Sequence, residues 1–117
     1  MSAVASTDLT IAQGATYSQV INWKSGSPAT AVNTTGFTAR MQLRTAYSAS
    51  SATIELTTAN GRISLTNAGV ITLSLTATET AALAAGRYVY DLEMVSSGGV
   101  VTRLLEGVVT VSPQVTR

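Results

Sequence analysis

Two runs of alternating apolar and polar residues near the end of the chain constrain its fold more than any other feature. They span residues 87–111 and are separated by the break Ser96-Ser97-Gly98-Gly99. The apolar residues of the first run share one phase, and therefore one face of a strand: Tyr88, Tyr90, Leu92 and Met94. This pattern predicts a β-hairpin with one apolar side. Because a lone hairpin is marginal in water, we expect it to join a sheet that a second layer covers.

Six further segments have the composition or the alternation of short strands. The clearest is 37–44, in which the polar phase carries Arg40 and Arg44. These arginines are spaced for carboxylates on a neighbouring strand, such as Asp91 and Glu93. Pairs of this kind are solvated and contribute less than about 1 kcal/mol each. The other segments are residues 8–11, 17–23, 53–57, 62–65 and 70–75.

Turn-forming residues separate these segments. A loop is predicted at 24–35 from its Gly, Ser, Pro and Asn content, and a second loop is predicted at 47–52 (YSASSA). Asn60-Gly61 is typical of a tight hairpin turn, so residues 53–75 are predicted to form a three-stranded meander. Gly107 interrupts the last strand, which predicts a bulge or a bend there.

A short helical segment is predicted at residues 76–85. Thr76 or Thr78 precedes Glu79, and Gly86 follows, which is the pattern of a hydroxyl cap and a glycine exit. So short a helix is unstable alone, and we expect Leu83 to pack it on the sheet.

The spacing of these elements predicts the fold class. Turn signals recur about every eight to twelve residues, which is typical of antiparallel sandwiches. We predict an all-β fold, an antiparallel β-sandwich of about eight strands with one short helical turn; a small β-barrel is the alternative. At 117 residues the chain has the length of one domain. We expect a single unit over residues 1–117, with a flexible arm at 1–7 and a C-terminal tail at 113–117.

The composition limits what the surface can bind. Charged residues make up 11% of the chain, against about a quarter in ordinary soluble proteins, and Ser, Thr and Ala replace them. A net charge of +1 gives no field that would attract nucleic acid or anionic lipid. No apolar run approaches the roughly 18 residues that a membrane helix needs. We therefore expect a neutral, hydroxyl-rich surface that binds neither nucleic acid nor membranes.

The inventory of reactive side chains argues against catalysis. The chain has no Cys and no His, so it lacks thiolate nucleophiles, the commonest general base and the commonest metal ligand. Asp91 and Glu93 share a strand face with Cα atoms about 6.5–7 Å apart, a spacing that a glycosidase pair could use. We expect both to be solvated beside arginines. The prediction is no enzyme activity, no cofactor and no metal.

A carbohydrate-binding or receptor-binding module is the alternative from another functional class. Such modules expose aromatic side chains, and the sequence offers Tyr47 in a loop and Trp23 at a strand end. Trp23 is better explained as an anchor of the core.

Four segments of the chain carry a resemblance to a known family. They are residues 8–16 (DLTIAQGAT), 61–65 (GRISL), 85–92 (AGRYVYDL), and Val101-Thr102 before a valine-rich strand. Together, over residues 8–112, they resemble the immunoglobulin-like domains of tailed-bacteriophage virion proteins, and most of all the N-terminal domain of phage baseplate upper proteins. Residues 104–117 are also similar to the ends of small prophage structural proteins.

The resemblance implies an immunoglobulin-like sandwich with a structural role. We expect a non-enzymatic structural or accessory virion protein of a tailed phage that binds other virion structural proteins at the tail, neck or baseplate; capsid decoration as a cement protein is the alternative. Symmetric assembly of several copies and location in the virion, after synthesis in the host cytoplasm, are expected as well. The apolar-then-proline end of the chain supplies the candidate partner-binding residues: Val111, Ser112, Pro113, Gln114, Val115, Thr116 and Arg117.

Overall fold

A computed structural model describes residues 5–116, whose two larger β-sheets pack face to face. The strands are β1 Ala5–Ser6, β2 Leu9–Ala12, β3 Tyr17–Asn22, β4 Lys24–Ser25, β5 Thr30–Ala31, β6 Thr38–Arg44, β7 Ile54–Thr57, β8 Ile63–Leu65, β9 Val70–Leu75, β10 Gly86–Val95 and β11 Val101–Ser112. The larger sheet has the order β1-β11-β10-β6-β7, with β2 also paired to β11. The smaller sheet has the order β3-β9-β8, and β4 pairs with β5 alone among the described strands.

The core lies between the two sheets and takes one side of each long strand. β10 contributes the four residues of its apolar phase, and β6 contributes Ala39, Met41 and Leu43. Ile71, Leu73 and Leu75 of β9 face them from the smaller sheet. Alternation thus places one face of each sheet in a shared dry interior. The predicted all-β sandwich is confirmed, and the described strands do not close into a barrel.

The predicted hairpin forms the centre of the larger sheet. β10 and β11 pair antiparallel from Gly86 opposite Val111 to Val95 opposite Val101. The sequence predicted a bulge or a bend at Gly107. The bulge instead lies at Leu104, because the register shifts between Leu92 and Glu93. Gly107 stays in register, and it is needed for another reason. A Cβ at this position would overlap the carbonyl oxygen of Thr7, so only glycine lets that backbone approach.

Residues 5–7 do not form the loose arm that the sequence predicted. Ala5 and Ser6 pair in parallel with Leu105 and Glu106, and the Thr7 amide donates to the Glu106 carbonyl at 2.9 Å. Residues 1–4 of that arm lie outside the described residues. The small polar residues of β1 carry no alternation, so the pairing was not visible in the sequence.

The predicted meander over residues 53–75 is wrong. β7 pairs with β6 in the larger sheet, whereas β8 pairs with β9 in the smaller one. Asn60-Gly61 therefore carries the chain between the sheets instead of closing a hairpin. The Asn60 side-chain oxygen accepts the Thr57 and Arg62 amides at 3.0 and 3.1 Å, which satisfies the backbone of this crossing without a strand partner. The predicted loop at 24–35 likewise contains the two-residue strands β4 and β5.

The helix α1 spans Ala77–Ala81 and is capped by Thr76 rather than by Thr78. The Thr76 hydroxyl accepts the Glu79 amide at 3.1 Å, and the Glu79 carboxylate accepts the Thr76 amide at 2.8 Å, which is a capping box. Leu83 is buried in the core, as predicted. The buried Thr80 hydroxyl donates to the Ala15 carbonyl at 2.8 Å and so ties the helix to the turn between β2 and β3.

Candidate functional site

The outward side of the larger sheet concentrates the charge of the molecule. We call it the polar face and define it by the outward charged and amide residues of β6, β7, β10 and β11: Arg40, Gln42, Arg44, Glu55, Arg87, Asp91, Glu93, Arg103 and Glu106. It holds four of the seven basic residues of the chain and four of the six acidic ones. The polar face is therefore charged but balanced.

Strand register arranges these residues in rows across the sheet. One row runs through Arg40, Glu93 and Arg103, and the next runs through Gln42, Asp91 and Glu106. Each row forms because residues paired across adjacent strands project to the same side. In the first row opposite charges thus become neighbours, whereas in the second row Asp91 lies opposite the like charge of Glu106.

The contacts in these rows are unequal. Arg40 Nε lies 2.8 Å from Glu93 Oε1, which confirms one of the two predicted arginine–carboxylate pairings. Arg44 does not meet Asp91, because its register partner is Val89. Its guanidinium donates instead to the Ala49 carbonyl and to the Gln42 side-chain oxygen, both at 2.7 Å.

A groove of about 350 Å³ lies on the polar face over the middle of β6 and β10. Asp91, Val89 and Gln42 line it, together with Tyr47 from the loop after β6 and Arg103 from β11. The Tyr47 side chain is 84% exposed. The structure therefore brings together the predicted sugar-binding aromatic and the predicted carboxylates.

Asp91 is partly exposed beside an arginine, as the sequence predicted. Its side chain is 43% exposed, and its ion pair with Arg103 is long, at 3.6 Å. No described residue donates a hydrogen bond to its carboxylate. Burial, and next the charge of Glu93, raise the pKa of Asp91 above its usual value. Asp91 is thus an acceptor without a close donor at the floor of the groove.

The outward side of the smaller sheet has the opposite character. We call it the neutral face and define it by the outward residues of β3, β8 and β9: Ser18, Val20, Asn22, Ser64, Val70, Thr72 and Ser74. None of these carries a charge. Val20 is 51% exposed at its middle, beside Thr72 of the adjacent strand. The side chains of this face are small, and the Arg62–Glu79 ion pair borders it beside Ser74.

The first two residues of the predicted partner-binding end of the chain are part of the sandwich. Val111 is 1% exposed and, like Ser112, belongs to β11, where it pairs with β2. The Gln114 amide donates to the Gln13 side-chain oxygen at 3.0 Å. The exposed residues are therefore Pro113, Val115 and Thr116, with Val115 91% exposed. Arg117 lies outside the described residues.

Trp23 does not offer a free platform. Its ring meets Phe37 edge-on, with centroids 5.6 Å apart and planes at 86°, and both residues pack against the core. The prediction that Trp23 anchors the core agrees with this position.

Sequence reasoning missed several residues that shape these surfaces. Gln42, Arg103 and Glu106 reach the groove through the register of three strands, of which β6 is distant in sequence from β10 and β11. The Gln13 side chain joins the Leu83 carbonyl, at 2.8 Å, to the Gln114 amide. No local sequence pattern predicts such contacts.

Three broader observations complete the description. Within residues 5–116, no group of three or more acidic side chains is placed to hold a metal ion. The same residues include no helix with the length and apolar character needed to span a bilayer. Comparison with known proteins finds no matching family model and no matching curated protein.

Proposed function

We propose that this chain is a non-enzymatic structural or accessory protein of a tailed-phage virion, and that it binds other virion proteins through the neutral face. The observation that carries the proposal is the uneven distribution of charge between the two faces. The polar face holds eight of the thirteen charged residues, and the neutral face holds none.

A face without charge suits protein contact for an energetic reason. Burying an ion without a partner is costly, and the cores of protein interfaces are depleted in charged residues. The hydroxyls of Ser18, Thr72 and Ser74 can turn to meet a donor or an acceptor on a partner. Val20 adds exposed apolar area at the centre. Such a surface loses little on desolvation and tolerates close approach.

The position of β3 supports the same surface. In the described part of the chain β3 pairs with β9 alone, so it forms an edge of the smaller sheet next to the neutral face. An edge strand can extend its sheet onto a partner strand, and its main-chain hydrogen bonds then add to the contact of the face. Face and edge together form one continuous docking surface.

The placement in a virion draws on the family resemblance of residues 8–112, with the sandwich architecture as its structural support. Immunoglobulin-like domains of phage virion proteins serve as docking units, and a virion presents its proteins in symmetric arrays. The near-zero net charge of this chain is compatible with packing several copies close together. The tail, neck or baseplate is the proposed location.

The test compares two lysine substitutions in particles of a phage that encodes this chain. Val20→Lys places a charge in the neutral face, and Thr110→Lys places the same charge at an exposed outward position of β11. We expect the wild-type chain and Thr110→Lys in purified particles by mass spectrometry, and about a tenfold loss of Val20→Lys, because an ammonium would be buried without a partner.

Two results would contradict the proposal. Absence of the wild-type chain from purified particles would exclude a virion role. Equal incorporation of the two folded lysine variants, with folding checked by circular dichroism, would exclude the neutral face as the contact.

A further inference from the structure

We propose that the groove on the polar face binds a neutral saccharide, with Tyr47 as the stacking platform and Asp91 as an acceptor for sugar hydroxyls. This site lies on the opposite side of the sandwich from the proposed docking surface, so a virion protein bound there would leave it accessible. The inference does not depend on the virion role.

The size of the groove fits a small ligand. Its volume of about 350 Å³ lies near the lower end of the range for small-molecule sites, roughly 300–1,000 Å³. Its floor consists of adjacent strands of the larger sheet, and the loop after β6 forms part of its rim. The site therefore rests on rigid elements.

The charge of the lining favours a neutral ligand. Three guanidinium groups, from Arg40, Arg44 and Arg103, are balanced by the carboxylates of Asp91, Glu93 and Glu106. With no excess of either sign, the groove offers little net attraction to an ion. It presents many donors and acceptors side by side, which suits a molecule whose hydroxyl groups can both donate and accept.

Asp91 is the groove residue that can accept a hydrogen bond from a ligand hydroxyl. Its carboxylate receives no hydrogen bond from a described residue, and Arg103 is 3.6 Å away. Partial burial and the nearby Glu93 charge raise its pKa, as expected for a partly buried carboxylate beside another carboxylate. A hydroxyl group that donates to Asp91 would restore the missing interaction without bringing another charge into the groove.

The neighbouring polar groups are already held in place. Arg44 donates to Gln42, and the Gln42 amide donates to Glu55 Oε2, both at 2.7 Å. Arg40 is fixed by Glu93 at 2.8 Å. Side chains that are ordered before binding lose less conformational entropy when a ligand arrives.

Tyr47 is positioned by the same network. Arg44 donates to the Ala49 carbonyl at 2.7 Å, and the Ala49 amide bonds to the Ala46 carbonyl at 3.1 Å, which closes a turn around Tyr47. The backbone that carries Tyr47 is thereby fixed at the rim of the groove, and most of the residue is exposed to solvent. An exposed ring of this kind can cover the apolar C–H face of a sugar, with Val89 adding apolar surface below.

The experiment is chemical-shift mapping of the ¹⁵N-labelled full chain with the methyl glycosides of glucose, galactose, mannose and N-acetylglucosamine at about 10 mM, a concentration that detects millimolar affinity. We expect at least one glycoside to shift amides of β6, β10 and the loop that carries Tyr47. Methyl glucuronide and lysine amide serve as charged probes. No shift with any neutral glycoside, or shifts with a charged probe alone, would overturn the proposal.

Matched variants identify the groups responsible. Tyr47→Ala should weaken binding about tenfold, whereas Tyr47→Phe should retain it because the ring remains. Asp91→Ala should weaken binding to a similar degree, and Arg87→Ala, outward on the same strand but not lining the groove, should not. Unchanged affinity in Tyr47→Ala or in Asp91→Ala would also overturn the proposal.

Discussion

The hydroxyl of Tyr90 donates a 2.6 Å hydrogen bond to the main-chain carbonyl of Thr7, 83 positions earlier in the chain. The bond joins the central hairpin to the segment that leads from β1 into β2. Tyr17, on the opposite sheet, has a buried hydroxyl that bonds to no described residue. The two phenols thus offer a contrast between a satisfied and an unsatisfied buried group.

Removing each hydroxyl should have a different effect on stability. We expect Tyr90→Phe to lower the free energy of unfolding by about 1 kcal/mol, because a formed hydrogen bond is lost. Tyr17→Phe should be neutral or stabilising, because it removes a buried polar atom that has no protein partner. Urea unfolding at neutral pH measures both, and a larger loss in Tyr17→Phe than in Tyr90→Phe would contradict the assignment.

The same two tyrosines should make the fold sensitive to alkali. Burial raises the pKa of Tyr17 and of Tyr90 from 10.0 to about 12. Above pH 10 the unfolded chain therefore releases these protons before the folded protein does, so stability falls as the pH rises from about 10 towards 12; below pH 10 the effect is absent. Urea midpoints across this interval should fall less steeply in the double variant Tyr17→Phe/Tyr90→Phe. An equal slope in the two proteins would show that other groups cause the loss.

Gly107→Ala should dislodge β1. The new Cβ would overlap the Thr7 carbonyl oxygen, which is main chain and cannot rotate away. We expect a loss of about 1–3 kcal/mol and faster hydrogen exchange at the Thr7 amide. Gly98→Ala is the control, because its Cβ would enter open space near the hairpin tip, with Ser96 Oγ 3.9 Å away. Similar exchange at Thr7 in both variants would refute the role of close approach.

Faces of individual strands were predictable because burial follows a period of two. In β6 and β10 every second side chain is buried, so the alternation of 37–44 and of 87–94 identifies the inward residues directly. In β3, Gln19 and Val20 interrupt the alternation of apolar and polar residues. Val20 is an exposed residue of the neutral face. One exposed valine costs little, so local hydropathy tolerates it.

Partners of the strands were less predictable, since pairing depends on distant segments. Asn60-Gly61 has the residue types of a hairpin turn, but β7 pairs with β6, and the turn connects the two sheets. The groove depends on two pairings at once: the predicted hairpin brings Glu106 to Asp91, but Gln42 reaches Asp91 only through the pairing of the distant strands β6 and β10. A sequence pattern specifies a face far more directly than it specifies a neighbour.

The cap of α1 should be specific to one threonine. Thr76→Ala removes the hydroxyl that accepts the Glu79 amide, and we expect a loss of about 1 kcal/mol. Thr78→Ala is the matched control. Thr78 lies two residues later and is exposed, so this substitution should have little effect. Urea unfolding decides between them, and equal losses would mean that the helix itself, rather than its cap, is sensitive.

Acid should weaken the same corner. The hydrogen bond from the Thr76 amide and then the contact with Arg62 lower the pKa of Glu79. A lowered pKa gives stability that is present above the pKa of the unfolded chain and is lost as the pH falls through the lowered value. Glu79→Gln should therefore be less stable than the wild type at neutral pH and should approach it in acid. A difference that stays constant with pH would contradict this linkage.

Truncation at two points separates the structural role of the chain end from its predicted role as a connector. Deleting residues 115–117 removes the exposed Val115 but keeps the bond from the Gln114 amide to Gln13. Deleting residues 113–117 also removes Gln114 and breaks this bond. The Gln13 side chain, which donates to the Leu83 carbonyl, then loses its second partner, so we expect the free energy of unfolding in urea to fall by about 1 kcal/mol more. If the end is a connector, the shorter deletion should give a stable, folded protein that is depleted from purified particles. Full incorporation of that variant would show that the chain end is not a connector, and the neutral face would remain the proposed contact.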